Sequence, residues 1–265
     1  MRLQVLSSGS EGNSTLIRAG ETSFVIDSGL PLAEMEARLE AVRTPAIGLH
    51  HVVVTHGHLD HARSAGALAR KARATLHCPE NIMKHPSTRR AKQLATIAVG
   101  SRFEIRAGNA PTADNAVELL TVPLPHDCDP TVAFRIEHGG RSAAVLTDIG
   151  RPCDEVARAL ADPHVLVLEF NYDPDMMRTG PYSHELQKRI TGSRGHLSNQ
   201  QSAQMLEALA GPRLHTLVLA HLSRTNNTPA LALAAANGAL ERLGLAGKVR
   251  LLVAKQDEPL EAIEV

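Results

Sequence analysis

The run His56-Gly57-His58-Leu59-Asp60-His61 constrains this chain more than any other feature. Three imidazoles and one carboxylate fall within less than two helical turns. The strand-like His51-Val52-Val53-Val54 precedes them, and a helical pattern follows from Ala62 to Lys71. Four metal-ligand side chains therefore crowd the mouth of a strand-to-helix turn, where functional groups concentrate. With 14 His in 265 residues, chance gives such a His-x-His-x-Asp-His run on the order of once in a thousand chains of this kind. The run reads as a metal site, against the bland alternative of a solvated His-rich loop.

Composition narrows what kind of site. Cys78, Cys128 and Cys153 stand far apart, and none lies in the cluster. A closed structural zinc site is usually Cys-rich, so an open, catalytic site is the better expectation. Sparse cysteines also fit reduced thiols in the cytoplasm. A hydrophobic content of 43% over 265 residues is ample for one domain spanning residues 1–265. Aromatic content of 2% leaves few rings for stacking nucleobases. The net charge is zero, so any nucleic acid must be held locally rather than drawn in by a global field. No apolar stretch approaches the roughly 18 residues of a membrane helix, so no membrane partner is expected.

Along the chain, Leu3–Leu6 reads as a strand and Ser7–Ser14 as a Gly/Ser loop. Thr15–Arg18 and Ser23–Ile26 form a hairpin, and Pro31 opens a helix to about Arg43. Thr75–Cys78 is a further strand, while 79–99 shows no regular pattern. Period two returns between Ser101 and Leu124, and a second hairpin joins Thr131–Glu137 to Arg141–Leu146. Helices 154–161, 198–210 and 229–243 then alternate with strands 165–168, 216–219 and 249–253. Two strand-rich halves with interspersed helices predict two sheets packed face to face, helices outside.

Four ligand types in one loop are awkward for a single ion, because His58 and Asp60 cannot easily both turn inward. Two ions sharing the loop resolve this, His56 and His58 on one, Asp60 and His61 on the other. Further ligands should come from other strand ends, and His126, Asp148 and His221 each follow a strand-like run.

These residues resemble the metallo-β-lactamase-fold hydrolase superfamily, whose signature is His-x-His-x-Asp-His followed by a His, an Asp and a final His at strand ends. The resemblance implies an α/β (α+β) fold, a four-layer αββα sandwich. Ser7–Ser14, Thr147–Gly150, Glu169–Asp173, Gly195–Asn199, Leu219–Ser223 and Asn226–Pro229 are similar to segments of the YycJ/WalJ-like group. That group implies a phosphodiesterase, a 5′-to-3′ exonuclease on DNA, with a metal-bridging hydroxide as nucleophile. Two divalent ions, zinc or manganese, are implied: His56, His58 and His126 on one, Asp60, His61 and His221 on the other, Asp148 bridging. The competing expectation is a small-molecule hydrolase cleaving cyclic phosphodiesters or thioesters at the same site.

His196 and Asp60 are the candidate catalytic groups, His196 as donor to the developing charge or the leaving alkoxide. Ser10 and Asn13, and the backbone amides of Ser198 and Asn199 at a helix start, are candidate substrate contacts along with His196. Arg89, Arg90 and Lys92, or Lys188, Arg189 and Arg194, read first as solvated basic faces, with a hold on a nucleic-acid backbone as the other reading. The remaining histidines read as structural.

Overall fold

Side-chain alternation along the strands decides the architecture. The computed structural model describes residues 1–108 and 115–265, so part of the expected 101–124 stretch lies outside the described residues. The chain first lays down β1 (Arg2–Ser7), β2 (Ser14–Ala19), β3 (Thr22–Ile26), β4 (His51–Val53), β5 (Thr75–Pro79) and β6 (Gln93–Ile97). It then builds β7 (Arg102–Arg106), β8 (Ala116–Leu124), β9 (Thr131–His138), β10 (Arg141–Leu146), β11 (Val165–Glu169), β12 (Thr216–Ala220) and β13 (Arg250–Val253). A final short strand, β14 (Ile263–Glu264), returns to pair antiparallel with β1. The sheets run β14-β1-β2-β3-β4-β5-β6 and β13-β12-β11-β10-β9-β8-β7. Each is mixed: β3 to β6 and β10 to β13 are parallel, the rest antiparallel.

In β10, β11 and β12, Val145, Val167 and Val218 face the other sheet and meet Leu3, Phe24 and Ile26 there. Their neighbours Leu146, Leu168 and Leu219 face outward and pack under helices. Each fully buried Leu or Val contributes about 1.5–3 kcal/mol, and this two-sided burial locks the register. The outer layers are α1 (Leu32–Ala41), α2 (Leu59–Ala62) and α3 (Ala65–Ala72) on the first sheet. On the second lie α4 (Asp154–Leu160), α7 (Asn199–Leu209) and α8 (Pro229–Arg242), while α5 (Pro174–Thr179) and α6 (His184–Thr191) lie between α4 and α7 in the chain. The expected αββα sandwich is what the chain forms.

Three local expectations need correction. The helix read over Ala62–Lys71 is two pieces, broken where Ser64 (φ −113°, ψ 8°) turns its hydroxyl to Ser28, 2.7 Å away. Pro31 is the N-cap of α1 rather than its first residue. The region 79–99 contains β6, whose side chains are mostly exposed and so carry no apolar period. Helix α6 likewise buries none of its residues. The second hairpin turns on Gly139 and Gly140, φ 57° and 76°, the left-handed pair that a two-residue turn between twisted strands needs. The three cysteines are free thiols, and no helix among the described residues is long and apolar enough to cross a membrane.

Candidate metal centre

Strands β3, β4, β8, β10, β11 and β12 end at one edge of the sandwich, and the site is built from the residues just past those ends. Asp27, Asp148 and His221 adopt φ of 64°, 62° and 55°, a left-handed conformation costing non-glycine residues about 1–3 kcal/mol each. Each strained residue has its amide captured. Asp27 donates to Val53 O at 2.7 Å, Asp148 to Glu169 Oε2 at 2.6 Å and His221 to Ser8 Oγ at 2.7 Å. The ligand loop is gripped from below: Asn13 and Ser28 donate to the carbonyls of Asp60 and His61, each at 2.7 Å. Only glycine fits at position 29, where a Cβ would stand 1.7 Å from the Asp60 carbonyl oxygen.

All seven sequence-predicted ligands converge. His56, His58 and His126 bring ligand atoms within 4.8 Å of one another, as do Asp60, His61 and His221. Asp148 lies between the trios, with Oδ2 3.0 Å from His61 Nε2 and Oδ1 3.7 Å and 3.8 Å from the Nε2 atoms of His221 and His126. Asp60, read both as ligand and as catalytic group, turns Oδ2 toward His61 and His221, at 3.4 and 3.5 Å.

Hydrogen bonds behind the rings set their tautomers. His61 Nδ1 donates to Asp27 Oδ2 at 2.7 Å. The Thr55 hydroxyl lies 3.0 Å from both Asp27 oxygens and donates its single proton there, so it accepts from His56 Nδ1 at 2.9 Å. His126 Nδ1 donates to Gly195 O at 3.1 Å. In all three rings Nδ1 is engaged from behind and Nε2 is the atom left for the centre, the arrangement that carboxylate- and carbonyl-backed metal ligands share. The Nε2 atoms of His56 and His221 are buried without a hydrogen-bond partner among the described residues. Buried polar atoms are rarely left so; here each lies within a group of close-set ligand atoms and suits a cation.

The charge balance agrees. Among the described residues, Asp27, Asp60, Asp148 and Glu169 contact histidines but no Lys or Arg. Burial opposes ionisation of Asp148 and Asp60, yet the His221 and His61 rings outweigh it and hold both carboxylates below their ordinary range. Burial likewise opposes protonation of His61, but Asp148, Asp60 and Asp27 reverse it. A metal ion held there would take the place of that proton.

His196 stacks on the His221 ring with centroids 5.2 Å apart, and its Nδ1 lies 3.2 Å from Glu169 Oε2. Glu169 is fully buried and also accepts from the Asp148 and Leu197 amides at 2.6 and 2.7 Å. Burial would lower the His196 pKa, but Glu169, Asp148 and Asp60 raise it to about 9, so the ring is a proton donor at neutral pH before metal binds. Its side chain is 20% exposed.

The substrate-contact expectations divide. Ser10 is exposed on the Gly/Ser loop. Asn13 is buried, its amide nitrogen 3.1 Å from His61 Nε2 and 3.4 Å from Asp60 Oδ2, so it supports the ligands. Ser198 and Asn199 do not form an anion site through their amides. The Ser198 amide is taken by Gln201 in a capping box, and that of Asn199 donates to Tyr172 O at 2.8 Å.

Sequence reasoning missed Asp27, Thr55, Asp127, Glu169 and Asn171. Asp27 and Glu169 end β3 and β11, so the strand-end rule applied to Asp148 would have found them. Asp127 Oδ1 stands 3.3 Å from His126 Nε2 while Arg189 holds Oδ2 at 2.7 Å. Asn171 bonds the His221 carbonyl at 2.9 Å. Several other histidines have structural partners the sequence did not reveal, such as His51 with His77 at 3.0 Å.

The family model described as the Metallo-beta-lactamase superfamily matches residues 8–221. The chain is 27% identical to exodeoxyribonuclease WalJ of Streptococcus pneumoniae over 231 residues, 87% of this chain and 85% of that one. It is 27% identical to exodeoxyribonuclease YycJ of Bacillus anthracis, covering 92% and 90%. A shorter match, 29% identical over 59% of this chain and 62% of the other, is to ribonuclease Z of Mycobacterium bovis. Among solved structures, the metallo-β-lactamase-fold protein YhfI of Bacillus subtilis superposes with a TM-score of 0.72 at 15% identity, covering 98% of each chain. Zinc-bound PqqB of Methylobacterium extorquens superposes at 0.64 and 17%, covering 98% and 100%.

Proposed function

The chain belongs to the metallo-β-lactamase superfamily and is a metal-dependent hydrolase, and from that premise we propose that it is a dinuclear phosphodiesterase that shortens nucleic acid, as a 5′-to-3′ exonuclease on DNA. The observation that carries the substrate class is the similarity to two exodeoxyribonucleases over 87% and 92% of this chain. In the proposed site, His56, His58 and His126 would hold one divalent ion, zinc or manganese, and Asp60, His61 and His221 the other, with Asp148 contributing to both. Such a pair activates a water near neutral pH and stabilises attacking and leaving oxygens of a phosphodiester.

The chain's own groups supply the rest. Asp27 and Thr55 fix the His61 and His56 tautomers from behind, and Asn13 steadies Asp60. Glu169 holds His196 by Nδ1, which leaves Nε2 to donate a proton to the departing alkoxide. The partial exposure of His196 suits a group that meets substrate, whereas Glu169, fully buried, positions it. A small-molecule hydrolase remains the second reading, favoured by the neutral chain and its 2% aromatic content.

Metal-loaded protein should release nucleotides from the 5′ end of 5′-phosphorylated DNA, in preference to RNA of the same sequence, cyclic nucleotides and thioesters. Faster degradation of RNA would move the assignment to ribonuclease. Turnover confined to cyclic nucleotides or thioesters would establish the second reading.

A further inference from the structure

The segment that begins at the ligand loop carries a charge imbalance that the neutral chain conceals. Residues 61–103 contain nine Lys and Arg and one acid, Glu80, against 28 of each sign in the whole. Within this segment Arg63, Arg89 and Arg90 line one cavity of about 250 Å³ together with Ala67, Pro86 and Ser87. Lys71 and Arg102 from the same segment pair with carboxylates, but Arg63, Arg89 and Arg90 have no ion-pair partner among the described residues.

The cavity is built rather than incidental. Thr88 is 1% exposed, and its hydroxyl lies 2.8–3.0 Å from the carbonyls of Ile82, Met83 and His85, which pins the turn carrying Arg89 and Arg90. That turn is docked on α3, where Gly66 donates to Ser87 O at 2.8 Å. A Cβ at position 66 would stand 2.6 Å from the same oxygen, so glycine permits the approach. Arg63 also lines the cavity, three residues past Asp60 and so about 4.5 Å further along the helical rise.

We propose that Arg63, Arg89 and Arg90 form a phosphate subsite beside the metal centre, which holds the substrate backbone at a phosphate other than the one being cleaved. The inference rests on the nucleic-acid reading and deepens it. Guanidinium groups suit phosphate oxygens through paired N–H donors. Unneutralised like charges gathered in one pocket gain most when a polyanion enters and releases its counterions. A mononucleotide or a small diester does not span both places, so the subsite rewards chain length.

The test compares kcat/KM on a 5′-phosphorylated single-stranded DNA of about twenty nucleotides, longer than one typical binding site, with that on a dinucleotide. In R89Q/R90Q the ratio of long to short should fall at least about tenfold through KM, and log kcat/KM should fall less steeply with log salt, by about 1.4, two contacts at 0.7 each. Arg63→Gln should act in the same direction. R70Q/R73Q removes two charges from the same segment outside the cavity and should move the ratio far less. An unchanged ratio in R89Q/R90Q, or an equal fall in R70Q/R73Q, overturns the subsite while DNA degradation by the unaltered enzyme keeps the nucleic-acid reading. If the unaltered enzyme cleaves small diesters but no nucleic acid, that reading falls and the subsite with it.

Discussion

Asp148→Ala is expected to reduce phosphodiester hydrolysis at least about a thousandfold, which corresponds to the several kcal/mol that two-metal stabilisation contributes. Both trios meet at Asp148: its two oxygens face His61 on one side and His221 and His126 on the other. Alanine removes the only carboxylate that reaches both groups among the described residues. It also leaves His56 Nε2, already without a hydrogen-bond partner, with no carboxylate in its ligand group. The measurement is turnover of bis(p-nitrophenyl) phosphate with metal in excess, alongside circular dichroism to establish that the variant is folded. A folded variant with more than a tenth of the original rate would exclude the shared role. Asp148→Asn separates charge from shape, because it keeps the oxygen but not the anion, and its loss should be nearly as large.

The second large effect falls on His196. If it protonates the leaving alkoxide, His196→Ala should cost about 10²–10⁴ in kcat on a DNA substrate, the usual contribution of a positioned acid. A p-nitrophenolate leaving group departs without a proton, so the same variant should lose far less on bis(p-nitrophenyl) phosphate. Glu169→Gln should reproduce this split at smaller amplitude, because the amide still accepts from His196 Nδ1 but no longer stabilises its cation. A loss of equal size on both substrates would make His196 a metal-site support instead, and a change within threefold on DNA would remove it from the chemistry.

Much of this site was legible in the sequence because its ligands obey a positional rule. His126, Asp148 and His221 each follow an apolar run, and a strand's end is where a side chain can leave the sheet without crossing a core. Asp27 and Glu169 obey the same rule and were passed over, because a carboxylate that braces another residue is defined by a partner distant in sequence. Glu169 meets His196 across 27 residues, and Asp27 meets His61 across 34. The mistaken expectations share a different cause. Backbone amides at Ser198 and Asn199 sit where an anion site is expected, but whether an amide is free depends on neighbours such as Gln201 and Tyr172. Strand β6 was invisible because its mostly exposed side chains carry no apolar period, and α6 is a short helix that buries none of its residues. In the fold, two strand-rich halves with interspersed helices announced the two-sheet sandwich, and the structure adds that Val and Leu alternate along β10 to β12 because both faces of that sheet are buried.

Two divalent ions are proposed to share one site through Asp148. Elemental analysis of the protein purified without added metal, then titrated with zinc or manganese after chelation, tests it most directly. Saturation is expected at about two ions per chain and at about one in the His126→Ala variant, since that change empties a single trio. Saturation of the unaltered protein at one ion, or no binding at all, would contradict it.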